Sequence, residues 1–212
     1  MRVYLIRHGQ SQARVTGNRQ GPKTPLSEEG VLQSRKVAEV LAKFELSLIL
    51  SSPWERALQT AKIISDVIRL PVEVVNYIHE RKLHPNLYYA SLDSDINRSY
   101  VEKLHANYTD FNWKFKGKGE SVAQVYKRAM RFKKHILKNY RSENILVVTH
   151  GVFLFCFIMV AILDNKFDEK MLMKLLTQFV YTNTGISLLE YEKETNKWRL
   201  KYFNDINHLG GG

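Results

Sequence analysis

Two apolar runs in this chain end on the same kind of polar residues. Val3 to Ile6 is followed by Arg7, His8 and Gly9, and Ile145 to Val148 by Thr149, His150 and Gly151. A further arginine, Arg56, lies in "SSPWERALQTAKIISDVI" just after another apolar run. Guanidinium groups offer bidentate donors to phosphate oxygens, and glycines 9 and 151 would let backbone N–H groups and helix N-termini approach an anion closely. Anion binding alone does not call for histidine. A neutral imidazole is a nucleophile toward phosphorus, and neighbouring arginines keep it neutral by opposing a further positive charge. The same cations stabilise the charge that spreads over a phosphoryl group during transfer. One histidine could attack while the other holds.

Such residues need elements to carry them to one place. Apolar runs and amphipathic helices alternate for most of the length, the pattern of a mostly parallel sheet covered on both faces. Strands are expected at Val3 to Ile6, Leu46 to Leu50, Val72 to Ile78 and Ile145 to Val148, with a terminal pair at Gly185 to Tyr191 and Trp198 to Phe203. Helices are expected from Glu28 to Phe44 behind a Ser27 cap, and from Ser52, with Pro53 and Glu55 completing a capping box that puts Arg56 in the first turn. Further helices are expected near Ile96 to Tyr108, from Ser121, and from Gly151 to Leu163. Ligand crevices in such sheets open beyond the carboxyl ends of the strands, where Arg7, His8, Arg56 and His150 all fall.

The chain of 212 residues suits one domain, spanning 1–212, with an inserted, lid-like segment at about 79–119 where the alternation lapses. Thirty-two Lys and Arg against 21 Asp and Glu leave a net charge of +11, which favours anionic partners. The single cysteine, Cys156, excludes an internal disulfide framework, and no signal peptide is visible, so a cytoplasmic location is expected. The stretch from Gly151 to Leu163 is too short for an ordinary membrane span, and no membrane association is expected. Its aromatic part, 153–157, fits a dimer face as readily as a core, leaving a homodimer open.

Five segments in order, "RHGQS" at 7–11, "TGNRQGPKTPLSEEG" at 16–30, "SSPWERALQTA" at 51–61, "GES" at 119–121 and "VTHG" at 148–151, resemble the histidine phosphatase superfamily, the phosphoglycerate-mutase-like enzymes. The resemblance implies a three-layer α/β/α sandwich with a mostly parallel sheet, and a phosphohistidine intermediate formed without metal or other cofactor. By position His8 matches the nucleophile, Arg7 and Arg56 the phosphate clamp, and His150 the second histidine. Glu80, in "IHERK", stands where the family has its proton donor. Ser11, Gln20, Gly21 and Gly151 in the matched segments join Arg14 and Arg81 as expected substrate-binding residues. Two departures stand out: Arg14 occupies a position that is commonly asparagine, and "ERKLHPN" replaces the His-Tyr-Gly continuation of the mutase branch, which favours hydrolysis.

The resemblance implies a phosphomonoester hydrolase for a small anionic substrate, with phosphoglycerate mutase as the alternative enzyme. A different class is a non-catalytic binding protein whose cationic helix, Ser121 to Arg141, engages nucleic acid or acidic protein. Nucleic acid is not expected as a partner, because that role would not require His8, His150 and a carboxylate together. The surplus charge of Arg14, Arg19 and Arg81 hints at a second anionic group on the substrate. His79 and His84 lack an established metal-ligand spacing and are expected at the surface, and Cys156 is expected to be inert core.

Overall fold

The computed structural model describes residues 1–163 and 167–210. Its centre is a six-stranded sheet built from β1 (Arg2–Arg7), β2 (Leu48–Ser51), β3 (Val72–Val74), β4 (Ile145–Thr149), β5 (Ile186–Glu192) and β6 (Lys197–Asp205). The strands lie in the order β3-β2-β4-β1-β5-β6. The first four run parallel, while β5 and β6 are antiparallel additions at one edge. Near-continuous burial of β1, β2 and β4 explains their unbroken apolar runs, since a parallel strand inside an α/β sheet is covered on both faces.

Alternate residues of each strand go to opposite faces. Tyr4, Ile6, Ile49, Leu146 and Val148 meet Val37, Ala38 and Leu41 of α2 (Glu28–Leu41) and Ala57, Ala61 and Ile64 of α3 (Glu55–Ile68). Val3, Leu5, Leu50, Ile145 and Val147 meet α5 (Val122–Asn139) and α6 (Gly151–Leu163) through residues that include Phe132, Ile136, Phe153 and Phe157. This is the three-layer sandwich, with two apolar cores separated by the sheet. The helix α6 is apolar all round because it is buried all round, with every residue from Phe153 to Ala161 inaccessible. Phe153 to Phe157 therefore belong to the core, which removes them as a dimer face. Cys156 lies among them, its thiol pushed far up by burial. No helix among the described residues is long and apolar enough to cross a membrane.

The basic helix α5 starts as its sequence directs: Ser121 Oγ accepts the Gln124 N–H and the Gln124 side chain accepts the Ser121 N–H. Its apolar stripe is committed to the core. Not all of its cations face outward: Arg128 pairs with Glu120 at 2.9 Å and donates to the Tyr77 and His79 carbonyls, and Arg131 lies over the Tyr77 ring.

Several boundaries differ from expectation. The helix α2 ends at Leu41 and β3 at Val74. Past Val74 the Ile78 N–H turns back to the Val75 carbonyl, taking the chain off the sheet edge and toward Glu80. The segment 79–119 holds α4 (Asp95–Ala106) and a small apolar cluster of its own, with Leu87, Tyr100 and Phe115 at its centre. Its 89–92 stretch hydrogen-bonds to residues 17–19, tying the excursion to the loop that follows the short helix α1 (Gln12–Val15). A helix that the sequence reading does not include, α7 (Glu169–Gln178), begins where Asp168 Oδ1 accepts the Met171 N–H at 2.7 Å.

Candidate active site

Strand register brings the polar ends together. Arg7 of β1 lies opposite Thr149 of β4, and Ser51 of β2 opposite Val148. Two further backbone bonds extend the pairing, His8 N–H to Thr149 O at 2.9 Å and Ser52 N–H to Val148 O at 3.0 Å. His8, Ser52 and His150 thus sit side by side at one end of the sheet, all inaccessible or nearly so. The first turn of α3 delivers Arg56 between them, 1% exposed.

Arg56 ties the site together through three donors. Nε–H reaches His8 Nε2 at 2.9 Å, an Nη2–H reaches His150 Nδ1 at 3.0 Å, and an Nη1–H reaches the Gly21 carbonyl at 3.0 Å. A guanidinium can only donate, so each imidazole presents a lone pair to it and both rings are neutral. The proton of His8 is on Nδ1, given to Gly9 O at 2.7 Å, and that of His150 is on Nε2, given to Ser52 Oγ at 2.7 Å. Burial and then the Arg56 charge hold both imidazoles well below their ordinary range, with Arg7 adding to the effect. Arg56 itself is lowered to about 10, by burial working against the attraction of Glu80, and stays charged at neutral pH. The two rings lie 5.0 Å apart, centre to centre.

Above them opens a cleft of about 640 Å³. Arg7, Arg14, Arg19, Arg56 and Arg81 line it, with Glu80 the one carboxylate on its wall among the described residues. Two of its buried polar atoms, Arg7 Nε and Ser11 Oγ, have no hydrogen-bond partner among the described residues. Glu80 is fixed from behind: Oε1 accepts the Arg81 N–H at 2.8 Å and Oε2 the Val152 N–H at 3.2 Å, where the first turn of α6 has unpaired donors. Five cations, one anion and the unpaired Ser11 hydroxyl around an open space make a receptor for a multiply charged anion, while His8 and His150 lie behind Arg56 and do not themselves line the cleft.

Of the expected substrate-binding residues, Arg7, Ser11, Arg14, Gln20, Arg56 and Arg81 line the cleft. Gly21 does not: its N–H bonds Thr24 Oγ1 at 2.8 Å and its carbonyl bonds Arg56. Gly151 opens α6 half-buried, where an added Cβ would make ordinary contacts only. Gly9 departs from the role expected of it, because its N–H bonds Thr60 Oγ1 at 3.1 Å rather than facing the cleft. What requires glycine there is packing: a Cβ on Gly9 would lie 2.5 Å from the Gly30 carbonyl, and one on Gly30 only 2.0 Å from the Gln10 carbonyl.

Ser52 is the clearest correction. It does not cap α3, which begins at Glu55 behind Trp54 with no side-chain cap, and the expected capping box is absent. Its hydroxyl is taken by His150 instead, and accepts the Trp54 N–H at 3.3 Å as well. Sequence reasoning also passes over Trp54, whose ring is 5.0 Å from the Arg56 guanidinium and stacks on His79 at 5.6 Å. It passes over Asn183, which donates to the His8 carbonyl at 2.7 Å, and Tyr181, whose carbonyl accepts from Arg7. His79 and His84 are buried rather than at the surface. The described residues contain no group of three or more His, Cys, Asp and Glu side chains placed to hold a metal.

Comparison with known proteins finds relatives along the whole chain. The profile of the histidine phosphatase superfamily (branch 1) matches residues 3–206. The adenosylcobalamin/alpha-ribazole phosphatase of Escherichia coli is 28% identical over 155 residues, covering 71% of this chain and 73% of the relative. The metal-independent phosphoserine phosphatase of Arabidopsis thaliana is 28% identical, with 98% of this chain and 82% of the relative aligned. Among solved structures, the alpha-ribazole phosphatase of Shigella flexneri superposes with a TM-score of 0.79 at 26% identity, covering 97% of this chain and 96% of that one.

Proposed function

The chain belongs to the histidine phosphatase superfamily (branch 1), and from that premise we propose which of its residues hydrolyse a phosphomonoester and how. The phosphoryl group of the substrate enters beneath Arg7 and Arg14, where Arg7 Nε and Ser11 Oγ donate to its oxygens. Arg56 exchanges its two imidazole acceptors for phosphate oxygens, which are stronger acceptors for a cation. That exchange frees the His8 Nε2 lone pair, which attacks phosphorus in line with the leaving oxygen.

A N–P bond forms, the P–O ester bond breaks, and Glu80, which takes up a proton as the anionic substrate enters, supplies it to the leaving oxygen. His150, released by Arg56, takes up a proton on Nδ1 beside the phosphate dianion and donates it to an equatorial oxygen, so that together with the arginines it meets the charge that develops there. In the second half, Glu80 takes a proton from a water molecule, whose oxygen attacks phosphorus as the N–P bond breaks. Free phosphate leaves and His8 is neutral again.

The observation that carries this assignment is the Arg56 bridge: with its proton on Nδ1, His8 has its one lone pair on Nε2, the nitrogen that Arg56, itself a cleft-lining residue, covers. Replacing His8 by alanine is expected to abolish release of phosphate from p-nitrophenyl phosphate and to remove an acid-labile phosphoenzyme. Hydrolysis at the parental rate by the His8→Ala variant would overturn the assignment. A coupled isomerisation assay separates hydrolysis from mutase chemistry.

The substrate is proposed to be a small phosphorylated metabolite, and the segment 79–119 to form the wall that selects it, since Leu83, Tyr88, Leu92 and Tyr100 line the cleft from that side. A chain whose one cysteine is buried fits work in the cytoplasm.

A further inference from the structure

The five arginines of the cleft fall into two groups. Arg7, Arg14 and Arg56 form the inner one, where Arg14 is close enough to lower Arg7. Arg19 and Arg81 form the other, gathered on a single residue of α4. The Arg19 guanidinium lies over the Tyr100 ring, 4.8 Å from its centre, and an Arg81 Nη2–H meets the Tyr100 hydroxyl at 2.7 Å. Arg19 Nε–H is held by Asn97 Oδ1 at 2.6 Å, and Asn97 is itself fixed by its bond to the Leu92 carbonyl. Asn97 and Tyr100, three apart on one face of α4, are buried to 5% and 3% exposure.

Two like charges here share one tyrosine. Four arginines of the chain are paired with carboxylates, Arg128 with Glu120 in a half-buried position and Arg2, Arg98 and Arg199 with Glu190, Asp95 and Glu192 at the surface, while Arg131 and Arg141 lie singly over tyrosine rings away from the cleft. The Arg19 and Arg81 guanidiniums have only neutral partners, one donor of each being engaged in a hydrogen bond. Their remaining N–H groups make no hydrogen bond to the described residues, and both side chains line the cleft. The carboxylate nearest in the wall, Glu80, has its oxygens taken by backbone donors. Two partly desolvated guanidiniums that repel each other, preorganised by buried polar neighbours and aimed into an open space, are compensated by an anion arriving from solution.

We propose that Arg19, Arg81, Asn97 and Tyr100 form a second anion-binding subsite, and that the substrate is a phosphomonoester carrying a further anionic group, phosphate or carboxylate, at its far end. The inference rests on the phosphatase reading of the inner site. A cleft of about 640 Å³ is large enough for such a molecule, being in the range of pockets that take drug-sized ligands. Leu83, Leu92 and Tyr88 along the wall would cover the organic part between the two anions. The unusual Arg14 takes no part in this subsite, since it stands with Arg7.

A ladder of straight-chain phosphate esters tests this. Ethane-, butane- and hexanediol bisphosphates, their ω-carboxylate analogues and the corresponding alkyl monophosphates would be compared by kcat/KM. At least one doubly anionic ester is expected to exceed the alkyl monophosphate of the same length by about ten-fold or more, as a charge-assisted bidentate contact allows. The bisphosphate and carboxylate arms tell which second anion is taken. An Arg19→Gln, Arg81→Gln double variant is expected to bring that ratio close to one, while Arg19→Lys, Arg81→Lys, which keeps the charge, retains part of it. Equal kcat/KM across the ladder, or a preference that survives the Gln variant, would overturn the proposal.

Calorimetric titration of the His8→Ala protein with the same compounds provides a readout free of turnover. Preferential binding of the doubly anionic esters there supports the subsite even if the wild-type protein hydrolyses none of them, in which case the phosphatase reading fails alone. Equal binding of all members overturns the subsite.

Discussion

Removing the Ser52 hydroxyl gives the sharpest test of how the site is held. Ser52 Oγ is the acceptor for His150 Nε2–H at 2.7 Å, and both residues are wholly inaccessible. In a Ser52→Ala variant the imidazole N–H has no partner. The proton cannot escape to Nδ1, because that nitrogen faces the Arg56 Nη2 donor at 3.0 Å and two donors would then confront each other. Nor can the ring take a second proton readily, with Arg56 and Arg7 beside it. Leaving one buried donor unpaired costs about 1–3 kcal/mol. For a chain of this length that corresponds to a fall in melting temperature of about 2–12 °C. Loosening His150 should also lower kcat/KM for p-nitrophenyl phosphate by about 10- to 100-fold, as removal of the outer partners of ligating imidazoles does. The activity is read well below the lower melting point, so that loss of fold does not enter. A Ser52→Ala protein with parental melting temperature and kcat/KM would refute both the tautomer assigned to His150 and the role given to Ser52.

The pH dependence carries a definite sign. His8 and His150 have folded pKa values below their ordinary 6.5, so below that pH the unfolded chain binds protons that the folded protein does not. Stability should be fully present above about pH 6.5 and decline as the pH falls toward the folded values, by at most about 1.4 kcal/mol per pH unit for each imidazole; denaturant midpoints that rise on acidification over that window would contradict it. For the same reason kcat/KM should hold its neutral-pH value to below pH 6.5, and an acidic limb centred at 6.5 or above would show that His8 is not held neutral in the free enzyme. Gly30→Ala, although it places a better helix former in α2, should destabilise by about 1–3 kcal/mol because its Cβ would meet the Gln10 carbonyl at 2.0 Å, and an increased melting temperature would show that the loop gives way.

The sequence discloses the four residues proposed for catalysis more fully than their supports. Arg7, His8 and His150 are legible because each closes an apolar run that can only be a buried strand, and Arg56 because it follows the third such run by a helical turn. The sheet layers are legible for the same reason. Ser52 is not, since a serine ahead of Pro53 and Glu55 has every local feature of a helix cap, and only the distant His150 competes for its hydroxyl. Gly9 misleads in the same way: a glycine after histidine at a strand end suits an anion cradle equally well, and the Gly30 carbonyl that excludes a side chain there comes from another helix. His79 and His84 look like surface residues because nothing local shows that Trp54 and Phe115 cover them. The helix α7 announces itself only weakly, through Asp168 and the spacing of Leu172, Leu175 and Leu176, beside much stronger neighbours.

The Arg56 bridge gives the resting enzyme a latch. As long as its guanidinium holds both rings, the attacking nitrogen is occupied, and reagents that modify exposed imidazoles find it closed to them. In the proposed mechanism a guest with oxygens good enough to draw the guanidinium away opens it, so that the nucleophile is armed by the very group it will strike, and the order of events follows from a count of donors and acceptors.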